Sequence, residues 1–345
     1  MRPLHPFLAL LLLAAAACDR SPSARSGEAA GAAPGPETTP DGRPDAAPPS
    51  PVATAAPGDA APSPDGRDAG EPGEGTDGAE AAQAPAGGDT TATDEGADDR
   101  VADAGPIAVA VYRGRGVAEE GLRAALAALR GDDRFEVREV SPEAIRRGAL
   151  AERRVAFFSG GIGSVQGGEL GPEGRRIVRE FVREGGGYVG ICAGAYLAIQ
   201  GPPQYHHLAI VAARNWSEDA WRRGTAMLEV APVGGGGPLR LFYANGPVFR
   251  RDEREGLASW TALATYVDDR YCESCGTHAG ELPGTPAILA ASYGAGRIVL
   301  FSPNPTLSRG DEPAHPELFL AAMRWVSTPG PVPADPTFDD VFGGR

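Results

Sequence analysis

From Ile107 onward, short apolar runs alternate with stretches whose apolar residues recur every three or four positions. IAVAVY (107–112) reads as a buried strand, and the segment 117–130 after it sets Leu122, Leu126 and Leu129 on one helical face. FEVREV (135–140) alternates as a strand; Ser141-Pro142-Glu143 then supplies an N-cap with proline in the first turn of a short helix ending near Gly148. VAFF (155–158) is a strand ending on Ser159-Gly160-Gly161, 172–184 is an amphipathic helix with Ile177, Val178 and Phe181 inward, and YVGI (188–191) is a fourth strand. Further strands are predicted at 225–230, 239–243, 262–267, 287–292 and 297–301, with a closing helix at 316–326. Strands alternating with helices predict an α/β domain over 106–328, with a mostly parallel sheet and helices on both faces.

The flanking segments have a different texture. Residues 19–105 contain no Leu, Ile, Phe, Trp or Tyr and carry 18 acidic residues against 5 arginines, which predicts a disordered, extended linker. Its net −13 accounts for nearly all of the chain's −14, so the overall charge says little about the folded domain. No basic stripe is present, which argues against a nucleic-acid partner. The 32 basic residues are all arginine, a bias that high-GC coding explains as well as function does. Residues 1–18 have Arg2, an apolar run from Phe7 to Ala17, and Cys18 after Ala15-Ala16-Ala17. Eleven apolar residues fall short of the roughly 20 that a transmembrane helix needs, so the start reads as an export signal. Its end resembles a bacterial lipobox, which implies lipidation of Cys18 and anchorage to a bacterial membrane on its periplasmic or cell-surface side. An ordinary cleaved signal is the alternative. The last residues, 329–345, are expected to be a disordered tail.

The chemistry concentrates in GGGYVGICAGAYLA (185–198). A Gly-x-Cys-x-Gly run directly after a strand and before a helix is a nucleophile elbow, in which Gly190 and Gly194 permit the tight turn and Cys192 sits at the carboxyl edge of the sheet. The opposing reading is a small buried cysteine. This block resembles the elbow of class I glutamine amidotransferase-like domains, and within them the domain at the N-terminus of biotin-protein ligases. FFSGGIGSVQGGEL before it, and YANGPVF and GRIVLFSPNP after it, fall in the order that the family shows. The resemblance implies a single flavodoxin-like, amidotransferase-like domain with Cys192 as nucleophile. It also implies an oxyanion pocket from the amides around Gly160-Gly161 and that of Ala193.

The general base departs from the pattern. Where the resemblance implies His-x-Glu, the chain has Asn304 and Thr306, and neutral asparagine takes no proton. His315-Pro316-Glu317 has the wording of the missing pair eleven residues late, but also reads as a helix start. His206 and His207, after the elbow helix, either turn toward the pocket mouth or form a solvated loop. Tyr243 and Asn245 in YANGPVF either line the pocket or belong to an Asn-Gly turn. Cys272 and Cys275, with His278, offer three soft ligands within seven residues; with no fourth ligand in sight a local disulfide is favoured over a metal. The combined expectation is a membrane-anchored binding module for a small molecule or peptide, with no cofactor and no metal. A cysteine hydrolase using a displaced histidine is the alternative, and glutamine hydrolysis is disfavoured.

Overall fold

In the computed structural model, residues 105–343 are described, except Glu218 and Glu255. The export signal, Cys18 and the acidic linker lie outside the described residues. The first half of the domain runs β1 (Ile107–Tyr112), α1 (Glu119–Arg130), β2 (Phe135–Val140), α2 (Pro142–Arg146), β3 (Val155–Phe158), α3 (Gly163–Arg183), β4 (Gly187–Ile191) and α4 (Ala193–Ala198). The second half runs β5 (Ala213–Asn215), β6 (Thr225–Pro232), β7 (Leu239–Ala244), β8 (Phe249–Arg251), β9 (Trp260–Tyr266), β10 (Pro286–Tyr293), β11 (Gly296–Phe301), α5 (Pro316–Ser327) and α6 (Phe338–Phe342).

Nine strands form one sheet in the order β2-β1-β3-β4-β11-β10-β9-β6-β7, while β5 and β8 pair separately. The half from β2 to β11 is parallel, as βα units require. From β11 onward the pairs are antiparallel, so the sheet is mixed, and its nine strands correspond to the nine predicted from the sequence. Alternation along β1 sorts its side chains: Val109 and Val111 pack under α1, α5 and α6, whereas Ala110 and Tyr112 pack under α2, α3 and α4. Helices therefore cover both faces, and the central strands β4 and β11 are buried along their whole length. Burying a valine, leucine, isoleucine or phenylalanine contributes roughly 1.5–3 kcal/mol, which is why continuous apolar runs settle at the sheet centre.

Local signals explain the element starts. Ser141 Oγ accepts from Ala144 N at 3.2 Å and caps α2, with Pro142 in the first turn. Helix α3 begins nine residues before the predicted 172, and bends where Gly171 adopts φ 65° ahead of Pro172. The expectation of a disordered tail over 329–345 fails. Thr337 and Asp340 form a reciprocal capping box that opens α6, and Val341 and Phe342 are buried in the core. Phe342 lies 6.1 Å from Phe301 and 4.6 Å from Phe338 between ring centroids, and Arg297 Nη2 donates to Pro331 O at 2.9 Å.

Candidate ligand pocket at the cysteine elbow

Strand β4 lies between β3 and β11 and delivers Cys192 at their carboxyl ends, with Ile191 in register with Phe301. Cys192 N donates to Phe301 O at 2.8 Å, and Tyr196 N donates to Cys192 O at 2.9 Å, so the residue ends a strand and opens a helix at once. That double duty forces φ 49° and ψ −99°, a conformation that costs a non-glycine residue roughly 1–3 kcal/mol. The turn closes because its flanks lack side chains: a Cβ at Gly194 would overlap Phe158 O, and one at Gly190 would meet Gly194 at 2.6 Å.

The thiol is held by backbone. Cys192 Sγ donates to Ala244 O at 3.5 Å, and the neighbouring amides of Gly161 and Ala193 favour its charged form. Burial pushes the thiol pKa above its ordinary value by more than those two amides draw it down. The amides of Gly161 and Ala193, which the resemblance implies as an oxyanion pocket, thus lie next to the sulfur. Gly161 stands at φ 136°, where a side chain would run into Gly116 O; a Cβ at Gly160 would make only an ordinary contact, 3.6 Å from that of Cys192.

Beside the sulfur opens a cavity of about 360 Å³. Ile162, Tyr196, Tyr205 and Trp221 supply its apolar walls, and His207 and Asn245 its polar ones. His207 Nδ1 lies 2.6 Å from Tyr196 O; a carbonyl only accepts, so Nδ1 carries the proton and Nε2 is left as a buried acceptor without a partner. Burial lowers the His207 pKa and keeps the ring neutral, and the ring packs on Gly201. Among the described residues, no histidine hydrogen-bonds the Cys192 sulfur.

The other candidates separate. His206 takes a left-handed conformation with its backbone against Gly167 of α3, and it does not line the cavity. His315 Nδ1 lies 2.9 Å from Glu317 Oε1 at the start of α5; neither residue lines the cavity. Asn304, expected beside the ligand, is instead turned into the structure. Its Oδ1 accepts from Thr306 N and Oγ1 at 2.9 and 2.8 Å, so this Asn-x-Thr bonds to itself. Tyr243 is buried beneath the site and donates to Gly246 O at 3.0 Å. Asn245 does line the cavity, with φ 55°.

Tyr196, Tyr205, Trp221 and Ile162 were not signalled by the sequence: Tyr205 and Trp221 lie in connections that follow no period, and α4, which carries Tyr196, is too short to show one. Trp221 rides on a loop held from behind. Arg223 Nη2 donates to Glu281 Oε2 at 2.7 Å, and Thr277 Oγ1 donates to Arg222 O at 3.4 Å. Thr277 also receives Cys272 N at 2.6 Å, beside a disulfide joining Cys272 to Cys275. His278 is exposed, and among the described residues no cluster of three His, Cys, Asp or Glu forms a metal site.

The fold is thus a mixed α/β sheet that presents a strained cysteine at the end of its central strand β4. Residues 107–201, from β1 through the elbow helix, match the family model described as biotin-protein ligase, N terminal. No curated protein matches the chain. Among solved structures, PurLQS from Thermotoga maritima is 14% identical with TM-score 0.43, over 60% of this chain and 91% of that one. A cytoplasmic protein of Salmonella typhimurium is 15% identical with TM-score 0.42, over 64% and 98%. A β-galactosidase from Bacillus circulans is 16% identical with TM-score 0.37, over 58% of this chain but only 28% of the enzyme.

Proposed function

We propose that the protein is an exported, lipid-anchored, amidotransferase-like module that binds a small molecule or peptide in the pocket beside Cys192, without triad catalysis. One observation carries this reading: the thiol has backbone partners and no hydrogen-bonded base, while the place of the base is taken by an asparagine bonded to its own neighbour. A thiol without a base and with a raised pKa is a poor nucleophile near neutrality. The test is iodoacetamide labelling of the Cys192 peptide across pH. The thiolate fraction falls about tenfold per pH unit below the pKa, so labelling at pH 7 is expected to be slower than that of a free thiol and to climb steeply above pH 9. Labelling at neutral pH faster than that of a free thiol overturns the reading.

A cysteine hydrolase is the second reading, favoured by one fact: His207 shares the cavity with Cys192. Under it, His207→Gln would slow neutral labelling at least tenfold; under the first reading the rate is unchanged.

Lipid anchorage is proposed from the run ending Ala15-Ala16-Ala17-Cys18 and from the long acidic segment after it, which suits a tether. No helix among the described residues is long and apolar enough to cross a membrane. In a bacterial host, the chain is expected to incorporate labelled palmitate and partition into detergent, and Cys18→Ser to do neither. Incorporation that persists in Cys18→Ser removes the anchor from the proposal.

A further inference from the structure

Resting on the reading that the cavity is a binding site, the geometry points to its ligand class. We infer that it takes an uncharged amide- or ester-type carbonyl compound carried on an apolar or aromatic ring, and discriminates against carboxylates and amines of the same shape.

The charge inventory is the first support. Among the described residues, the cavity is lined by no Asp, Glu or Arg, and the chain has no Lys. The only imidazole in the wall, His207, has its proton committed to Tyr196 O, and its other nitrogen is buried against Gly201. Arg223, buried in the loop that carries Trp221, pairs with Glu281 through Nη2 and does not line the cavity. An ion entering this space would lose hydration without meeting an opposite charge, a loss that neutral hydrogen bonds do not make up. A free amino acid such as glutamine carries two such charges, and no pair of walls here answers them.

Asn245 gives the second support. Its Oδ1 accepts from Arg223 N at 2.6 Å and from Gly224 N at 2.7 Å. Those two donors fix the orientation of the side-chain amide, because an NH2 facing them would accept nothing. The NH2 is thus the end of Asn245 left over, and among the described residues no hydrogen bond from it is formed. An NH2 at a cavity wall calls for a ligand acceptor, and a carbonyl oxygen is the uncharged group that fits.

The walls supply the third support. Ile162 is 58% exposed and Trp221 41% exposed, unusual for large apolar side chains unless something covers them. With Tyr205 they offer apolar and aromatic faces for the body of a ring. The volume of about 360 Å³ is at the small end of ligand sites, which suits one ring and its substituent.

The experiment uses the full chain and three probes of one shape: phenylacetamide, phenylacetate and phenethylamine. Each is scored by how far it slows iodoacetamide labelling of the Cys192 peptide at pH 9. Phenylacetamide is expected to give half-protection at a concentration at least tenfold below either charged probe. Asn245→Asp keeps an oxygen for the Arg223 and Gly224 amides but removes the NH2, and is expected to abolish that advantage. Protection by phenylacetate at an equal or lower concentration overturns the inferred ligand class while leaving the cavity a binding site. An undiminished advantage in Asn245→Asp overturns the role given to that residue. Failure of all three probes to protect overturns both the ligand class and the binding reading.

Discussion

Glu281→Ala is expected to unfold the domain well below the temperature of the parent protein. Arg223 has no exposed side-chain surface and Glu281 has 14%, and their 2.7 Å contact spans 58 residues of chain. Removing the carboxylate leaves a guanidinium that cannot deprotonate in a site that water does not reach. Breaking such a pair from one side costs about 3–5 kcal/mol, whereas replacing both partners with apolar residues of similar size is often neutral. Arg223→Met with Glu281→Leu is therefore expected to recover most of the loss. For a domain of this size about 1 kcal/mol moves Tm by roughly 2–4 °C, so the single substitution should lower it by about 10 °C in a calorimetric scan. A double variant no more stable than Glu281→Ala would show that packing rather than charge pairing is at stake. Because Arg223 shares its loop with Trp221, the wall of the cavity should loosen with the pair, and Cys192 labelling should rise in Glu281→Ala before global unfolding begins.

The parts of this fold that could be read from the chain are those whose side chains obey one period. IAVAVY and GRIVLF are buried on both faces, so their continuous apolar runs survive in any context, and the structure bounds them at Ile107–Tyr112 and Gly296–Phe301. The opening turns of α3 gave no such signal. GSVQGGEL carries glycines that weaken any helical expectation, yet Gly167 is needed there, because a side chain would strike the His206 backbone. Packing overrode propensity. In the tail, Pro and Gly masked a five-residue helix whose stability comes from Phe338, Val341 and Phe342 meeting the core, a long-range contact that local sequence does not encode. At the site, Cys192 and the loss of the usual base were both legible, since each is a matter of residue identity at a fixed spacing. The cavity wall was not. Tyr205 and Trp221 arrive from separate loops, and what brings Trp221 in is a buried ion pair and a hydroxyl network rather than any motif.

Gly194→Ala is expected to be the most damaging single-methyl change at the elbow. The added Cβ would fall on Phe158 O, a backbone atom of β3, so no side chain can swing away to make room. Tyr188 Oη also donates to Gly194 O at 2.7 Å, which ties the residue to β4 from beneath. Relief would have to come from moving α4 away from the sheet, and that motion opposes the strained backbone of Cys192, whose φ of 49° holds only while both flanks are clamped. Overpacking of this kind costs typically about 1–3 kcal/mol where side chains can adjust, and a rigid backbone neighbour puts this site at or beyond the upper end. The expected result is a Tm lowered by about 6–12 °C on the same scale, with a second signature that mere destabilisation lacks. Once α4 shifts, the Ala193 amide leaves the sulfur and the thiol loses one of the two groups that favour its charged form. Its pKa should then rise further, moving the labelling profile of Cys192 to higher pH under conditions where circular dichroism still reports a folded chain. Ala198→Gly, at the other end of α4, is expected to lower Tm by less and leave that profile in place. An unshifted profile in folded Gly194→Ala would mean that the elbow amides do not set the state of the thiol.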